Sequence, residues 1–202
     1  MKTTNEQSNL NITPTIYSRF IKRFLDFILS LIAIIILSPI LLIVYILTII
    51  FNGYPAIYKQ ARPGRNHKKF YIYKFRSMTN KKDENGNLLP DSQRITWFGK
   101  FLRKTSLDEL PQLWNIFVGE MSFVGPRPVT QEELEKYGSN TDYILSVTPG
   151  LSGMWQISGR SDTGYEERIN LDTYYIQNWS FWLDIWIIIK TVWVVIKGKG
   201  AY

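Results

Sequence analysis

From Phe27 to Phe51 the chain reads FILSLIAIIILSPILLIVYILTIIF, 25 residues without a charge. Wound as one straight helix, this run is roughly 37 Å long, against a bilayer core of about 30 Å. It is too long for the core of a signal peptide, and no small-residue cleavage site follows it. The pattern predicts a membrane anchor that is retained. Ser38-Pro39 falls in mid-run, where proline removes a backbone hydrogen bond and crowds the preceding turn, so a kink is expected. Arg19, Lys22 and Arg23 precede the run, while Lys59, Arg62, Arg65, Lys68 and Lys69 follow it. Cations on both flanks belong on the cytoplasmic side, which a single crossing cannot satisfy. A re-entrant helix that enters one leaflet, turns at Ser38-Pro39 and returns satisfies both flanks; a kinked full span is the alternative that these residues leave open.

Elsewhere the periods are shorter. FYIYKFRSM, residues 70–78, places Phe70, Ile72, Lys74 and Arg76 on one side and Tyr71, Tyr73, Phe75 and Ser77 on the other, the alternation of a strand. NKKDENGNLLPDSQ reads as a loop. Near the C-terminus Trp179, Trp182, Trp186 and Trp193 recur at helical spacing and predict a tryptophan stripe. Such a stripe suits a helix lying at the membrane interface, and it also suits ordinary core packing. Asp184 and Lys190 interrupt this last apolar run, which is too short for a second crossing. Residues 1–13 are polar and predict a disordered tail. Residues 14–52 then form the membrane helix, and 53–202 one small mixed domain without repeats.

Charge and composition narrow the partners. Lys and Arg number 24 against 17 Asp and Glu, a formal net charge of +7, which favours anionic partners such as nucleic acid, lipid headgroups or phosphorylated small molecules. Nucleic acid is disfavoured because the membrane segment splits the basic residues. The chain has no cysteine and a single histidine, His67, so zinc–thiolate and histidine-rich metal sites are excluded. Any metal is then a hard cation on carboxylate and phosphate oxygens. Asp26, close to Lys22 and Arg23 on one helix face, is expected as their ion-pair partner.

Within this basic chain, TSLDELPQLWN sets Asp108 and Glu109 side by side just ahead of Pro111. Ser106-x-x-Glu109 fits a capping box, and Leu107, Leu110, Leu113, Trp114 and Phe117 follow helical spacing. Proline is comfortable only in a first turn, so a helix is expected to begin with Asp108 near its N-cap. Pure capping would explain the acids. The next stretch, GEMSFVGPRPV, holds Arg127 between two prolines on a stiff backbone, suited to bidentate phosphate recognition. TPGLSGMWQISGR adds glycines ahead of Arg160 and reads as a flexible turn carrying another cation. Acids and arginines together form a plausible phosphoryl-transfer site, whereas a lipid-tethered binding module for anionic headgroups would leave the acid pair without a use.

KFRSM, RKTSLDELPQLWNIFVGEMSFVGPRPV, GLSGMWQISGR and DTYYIQNWSFWLDIWIIIKTVWVVIKGKGAY together resemble the bacterial sugar transferase family, the monotopic phosphoglycosyl transferases, over essentially residues 16–202. The resemblance implies an α+β, mainly helical fold with a re-entrant N-terminal helix broken at Ser38 and Pro39, interfacial amphipathic helices and a small β-hairpin. It implies transfer of a sugar phosphate from a UDP-sugar to undecaprenyl phosphate with Mg²⁺, or Mn²⁺ in its place, in polysaccharide biosynthesis at the cytoplasmic face of the bacterial plasma membrane. Asp108 resembles the family's nucleophile and Glu109 its dyad partner, either of which can also serve as a metal ligand. Lys74 with its neighbour Arg76, Arg127 and Arg160 match the basic positions that hold phosphate. The C-terminal segment is most similar to members handling plain hexoses, galactose before glucose. Membrane lipids are the implied surroundings, nucleic acid is no partner, and a homo-oligomer is compatible with the resemblance. Many relatives carry further N-terminal spans, and the chain resembles the minimal form.

Overall fold

The structure is a computed structural model that describes residues 17–159 and 164–197. The tail of residues 1–13 and Arg160 therefore lie outside the described residues. The architecture is α+β and mainly helical, with two small two-stranded sheets.

After a π-helical turn at Tyr17–Ile21, helix α1 runs over Lys22–Asn52, about 46 Å at 1.5 Å per residue. By length and composition it can cross a membrane. At Ser38-Pro39, where a break is expected, the helix continues with Pro39 inside it. The reason is local. Proline cannot donate to the carbonyl four residues earlier, that of Ile35, and the Ser38 hydroxyl donates to this oxygen instead, at 2.8 Å.

One face of α1 packs along the rest of the chain. Ala33, Ile34 and Leu37 meet Phe70, Ile72, Leu113 and Ile116, and Leu41, Val44 and Leu47 meet Phe75, Phe98 and Leu102. The other face leaves Ile35, Ile36, Leu42, Ile43, Ile46 and Ile50 exposed. Both ends are pinned to the same body. Arg23 donates to the carbonyls of Ile116 and Phe117, each at 2.7 Å, and Asn52 Nδ2 donates to the Arg76 carbonyl at 2.5 Å.

A hairpin follows: β1 (Ile57–Pro63) pairs antiparallel with β2 (Lys69–Phe75), Tyr58 opposite Lys74 and Gln60 opposite Ile72. The alternation read for this strand holds at Phe70, Tyr71 and Ile72 and fails at Phe75, which is buried against α1 as well. Arg62, read as a flanking cation, lies in β1 and pairs with Glu133 at 3.1 Å. The loop that follows closes with α2 (Asp91–Arg94). Next come α3 (Trp97–Thr105) and α4 (Gln112–Val118), both amphipathic, with Trp97, Phe101, Trp114 and Val118 exposed.

The second half is organised by a parallel pair, β3 (Ser122–Val124) and β4 (Gly150–Ser152), linked through α5 (Gln131–Glu135) and α6 (Thr141–Ile144). After β4 come α7 (Met154–Ile157), α8 (Tyr165–Gln177) and α9 (Phe181–Lys197). Val124, Leu134, Ile144, Tyr175, Ile176 and Ile187 fill the core between them.

Asp184 joins the two halves. It is buried in α9 and accepts from Lys22 Nζ at 2.5 Å, Tyr17 Oη at 2.6 Å and Tyr175 Oη at 2.7 Å. This use of Lys22, and of Arg23 on the carbonyls, corrects the expected pairing with Asp26. Asp26 is buried and accepts from the Phe123 N–H at 3.1 Å. The tryptophan stripe needs a similar correction. Trp182, Trp186 and Trp193 are exposed on α9, whereas Trp179 sits in the turn before it, its ring tilted against that of Tyr175. The chain leaves helical geometry at residues 178–180, so the spacing of Trp179 carries no facial meaning.

Candidate active site

The acid pair sits in a tight reversal between α3 and α4. Ser106 takes the left-handed conformation, φ 56°, and ends α3 rather than starting a helix. Leu107–Glu109 form a single 3₁₀ turn, and α4 begins only after Pro111, its N-cap. The expected capping box and the N-cap role of Asp108 are therefore not formed. Ser106, in the left-handed region, makes no side-chain capping bond to the turn that follows. A capping box does occur at Thr130 and Glu133, on α5, where the sequence reading did not place one.

Freed from capping, Glu109 turns to cations. Its Oε1 accepts from Lys74 Nζ at 2.7 Å and from Arg127 Nη2 at 2.8 Å. Burial pushes this carboxyl up, but Arg127 and Lys74 outweigh it and hold Glu109 well below the ordinary carboxylate range. Asp108 lies in the opposite situation. Its carboxylate accepts no hydrogen bond from the described residues, and burial together with the charge of Glu109 pushes it up to about 6. Lys74, Arg103 and Arg127 pull in the other direction without cancelling this.

Lys74 projects from β2, and two features fix its distance from the acids. Asn115 of α4 is fully buried and completes the free edge of β2, accepting from Tyr73 N–H at 3.2 Å and donating to the Tyr71 carbonyl at 2.7 Å. Gly99 lets α3 press on the strand's continuation: a Cβ there would come within 1.8 Å of the Ser77 carbonyl oxygen. Arg103, one turn along α3, then donates through Nε to the Ser77 hydroxyl at 2.9 Å and lines the same cavity as Asp108.

Arg127 is held from behind. Gly125 N–H donates to Ser152 and Gly150 N–H donates to Pro126, locking the Gly-Pro-Arg-Pro segment onto β4. A Cβ on Gly150 would approach Gly125 N to 2.1 Å, and one on Gly153 would approach Gly125 O to 2.3 Å. These glycines serve close approach, which corrects their reading as a flexible turn: the stretch forms β4 and α7. Arg168 of α8, buried, reaches the Arg127 carbonyl at 3.4 Å with its guanidinium 4.3 Å from the centre of the Trp155 ring.

The cavity holding these groups has a volume of about 760 Å³. Lys74, Arg76, Asp108, Glu109 and Arg127 all line it, so five of the six site residues singled out in the sequence come together; Arg160 is outside the described residues. A sequence profile described as bacterial sugar transferase matches residues 17–198. The chain belongs to the bacterial sugar transferase family. It is 44% identical over 202 residues to the undecaprenyl-phosphate galactose phosphotransferase of Salmonella typhimurium, covering 92% of this chain and 42% of that protein. It is 41% identical to the UDP-glucose:undecaprenyl-phosphate glucose-1-phosphate transferase of Klebsiella pneumoniae, covering 90% and 41%. To the exopolysaccharide production protein ExoY of Sinorhizobium fredii it is 42% identical, covering 90% and 88%. The chain thus spans less than half the length of several curated relatives it matches.

In this family member three residues that no sequence pattern marked support the site: Arg103, Asn115 and Arg168. Arg103 stands in the quoted RKTSLDELPQ stretch five residues before Asp108, yet only the packing of Gly99 on Ser77 brings its guanidinium to the cavity. Asn115 and Arg168 act through long-range contacts that no local pattern marks.

Proposed function

We propose that this sugar transferase moves a hexose-1-phosphate, galactose first and glucose second, from a UDP-sugar to undecaprenyl phosphate. The reading is supported by the names of its relatives and by one observation: Asp108 accepts no hydrogen bond from the described residues, beside a Glu109 whose Oε1 is held by Lys74 and Arg127. Such a carboxylate is a competent nucleophile, accessible and close to cations that can take phosphate charge.

In the first step an Asp108 oxygen attacks the β-phosphorus of the UDP-sugar. A carboxylate–phosphorus bond forms, the bond from that phosphorus to the bridging oxygen breaks, and UMP leaves with this oxygen. In the second step a phosphate oxygen of undecaprenyl phosphate attacks the same phosphorus, the Asp108 bond breaks, and undecaprenyl diphosphate sugar departs with the carboxylate restored. Lys74, Arg76, Arg103 and Arg127 hold phosphate oxygens and the charge that develops on them. Glu109 keeps Lys74 and Arg127 in place, and its Oε2 accepts no hydrogen bond from the described residues. Asp108 and this oxygen are hard donors that would hold a divalent cation; no group of three metal-binding side chains occurs among the described residues. Held there, Mg²⁺ or Mn²⁺ would supply neutralisation of the pyrophosphate charge.

The protein works at the membrane. Helix α1 enters and leaves by the cytoplasmic leaflet in this reading, supported by the attachment of both its ends to the body that carries the site. The deciding experiment is mass spectrometry of protein quenched with UDP-galactose in the absence of acceptor. A hexose-phosphate adduct on the peptide containing Asp108, with UMP released, is expected. Full UMP release by Asp108→Asn would overturn the covalent mechanism.

A further inference from the structure

Ile188, Thr191, Val192 and Val195 recur on α9 at i, i+3, i+4 and i+7, so they share one helical face, and all four line the cavity that holds Asp108. We propose that this face is the subsite for the hydrocarbon chain of the acceptor, an isoprenyl phosphate; the inference rests on the transferase reading above.

The wall is apolar in effect as well as in composition. Thr191 is its one polar member, and its hydroxyl is spent internally, donating to the Ile187 carbonyl at 2.7 Å and bonding the Ser152 hydroxyl. What Thr191 can turn to the cavity is its methyl group. Leu151 of β4 adds to the same lining. Ile188, Thr191 and Val195 are half-buried and Val192 is 55% exposed, so the wall is partly sheltered and opens to the surface at Val192. On α9 beside it stand Trp186, Ile189 and Trp193, the exposed stripe suited to the interface.

An apolar wall sharing a cavity with Lys74, Arg103 and Arg127 matches an amphiphile with an anionic head. The phosphate meets the cations while the chain follows α9 outward to the bilayer. The UDP-sugar donor gains nothing there, since its uracil, ribose and hexose would lose hydration against valine and isoleucine. Each methylene withdrawn from water strengthens binding about fourfold, so one isoprene unit on this wall is enough to set a preference for chain length.

The test uses the full chain in detergent with UDP-galactose and two acceptors, a long-chain and a two-isoprene isoprenyl phosphate. In Val192→Ser/Val195→Ser the ratio of kcat/KM for long over short acceptor is expected to fall at least tenfold. Ile189→Ser, on the outward face, is expected to keep the wild-type ratio. A wild-type ratio in the double variant would overturn the subsite. Absence of transfer to either acceptor by wild-type protein would instead overturn the transferase reading, and the subsite with it. A photoreactive isoprenyl phosphate gives a second measurement that needs no turnover. Adducts on residues 188–195 support the assignment, and adducts confined to other segments refute it.

Discussion

Asp108 and Glu109 are consecutive residues whose carboxyl groups are driven in opposite directions: Glu109 is held well below the carboxylate range, while Asp108 is pushed up to about 6. The difference is one of partners. Glu109 accepts from Lys74 and Arg127, whereas Asp108 accepts from no described residue and faces the charge its neighbour retains. Pairs of carboxyls separated in this way divide their duties, one a fixed counter-charge and the other a reactive group.

The first consequence is a pH dependence. Attack requires ionised Asp108, so UMP release is expected to rise with pH through about 6 and then level off. Burial and Glu109 are the two causes that raise this value. Glu109→Gln removes the second and leaves Lys74 and Arg127 facing Asp108 alone, so the acidic limb moves to lower pH. Burst amplitudes measured against pH for both proteins check this; an unmoved limb would assign it to another group.

Asp108 also carries a stability cost. Its folded value of about 6 exceeds its ordinary 3.8, so the folded state binds more protons between these limits and stability falls as pH rises through them. Above about pH 6 the penalty is complete, and Asp108→Asn is expected to be more stable than wild type by about 1–3 kcal/mol. Below about pH 4 the gain disappears. Unfolding in detergent at both pH values reads this, and a less stable variant at neutral pH would show that the carboxylate is favourably held.

Ser38 is expected to stabilise α1 through the carbonyl that Pro39 leaves open. Ser38→Ala orphans the Ile35 oxygen and costs about 1 kcal/mol, while Ser38→Ala/Pro39→Ala restores the backbone donor and recovers it. Equal thermal stability of all three proteins would remove this role for the hydroxyl.

Topology has a clean assay because the chain has no cysteine. Thr4→Cys and Tyr54→Cys, on either side of α1, are expected to react with impermeant thiol reagent from the cytoplasmic side alone. Reaction of either from the periplasmic side would establish a spanning helix.

Much of the protein was legible in its sequence because the features concerned are local. An uncharged run long enough for a bilayer, a strand alternation over Phe70, Tyr71 and Ile72, and a rigid Pro-Arg-Pro segment each follow from backbone geometry and hydrophobic period within a few residues. The motif order likewise placed the chain in its family. Pro111 limited where a helix could start, and α4 does start beside it, three residues later than the N-cap expected at Asp108.

Only tertiary structure decided how those pieces are used. Ser106 could have opened a capping box, and nothing nearby forbade it; the ion pairs of Glu109 with Lys74, 35 residues back, and Arg127, 18 residues on, took the carboxylate elsewhere. Asp184 read as an interruption of an apolar helix until Lys22, Tyr17 and Tyr175 met on it. Gly150 and Gly153 read as flexible and Gly99 carried no reading at all, yet each is required by a backbone contact with a distant segment. The sequence by itself determined which groups the protein has and which segments carry them. Which carboxylate is paired and which is left reactive depends on charges brought together over long sequence separations, because electrostatic partners and buried volume are properties of the packed chain rather than of any stretch of it.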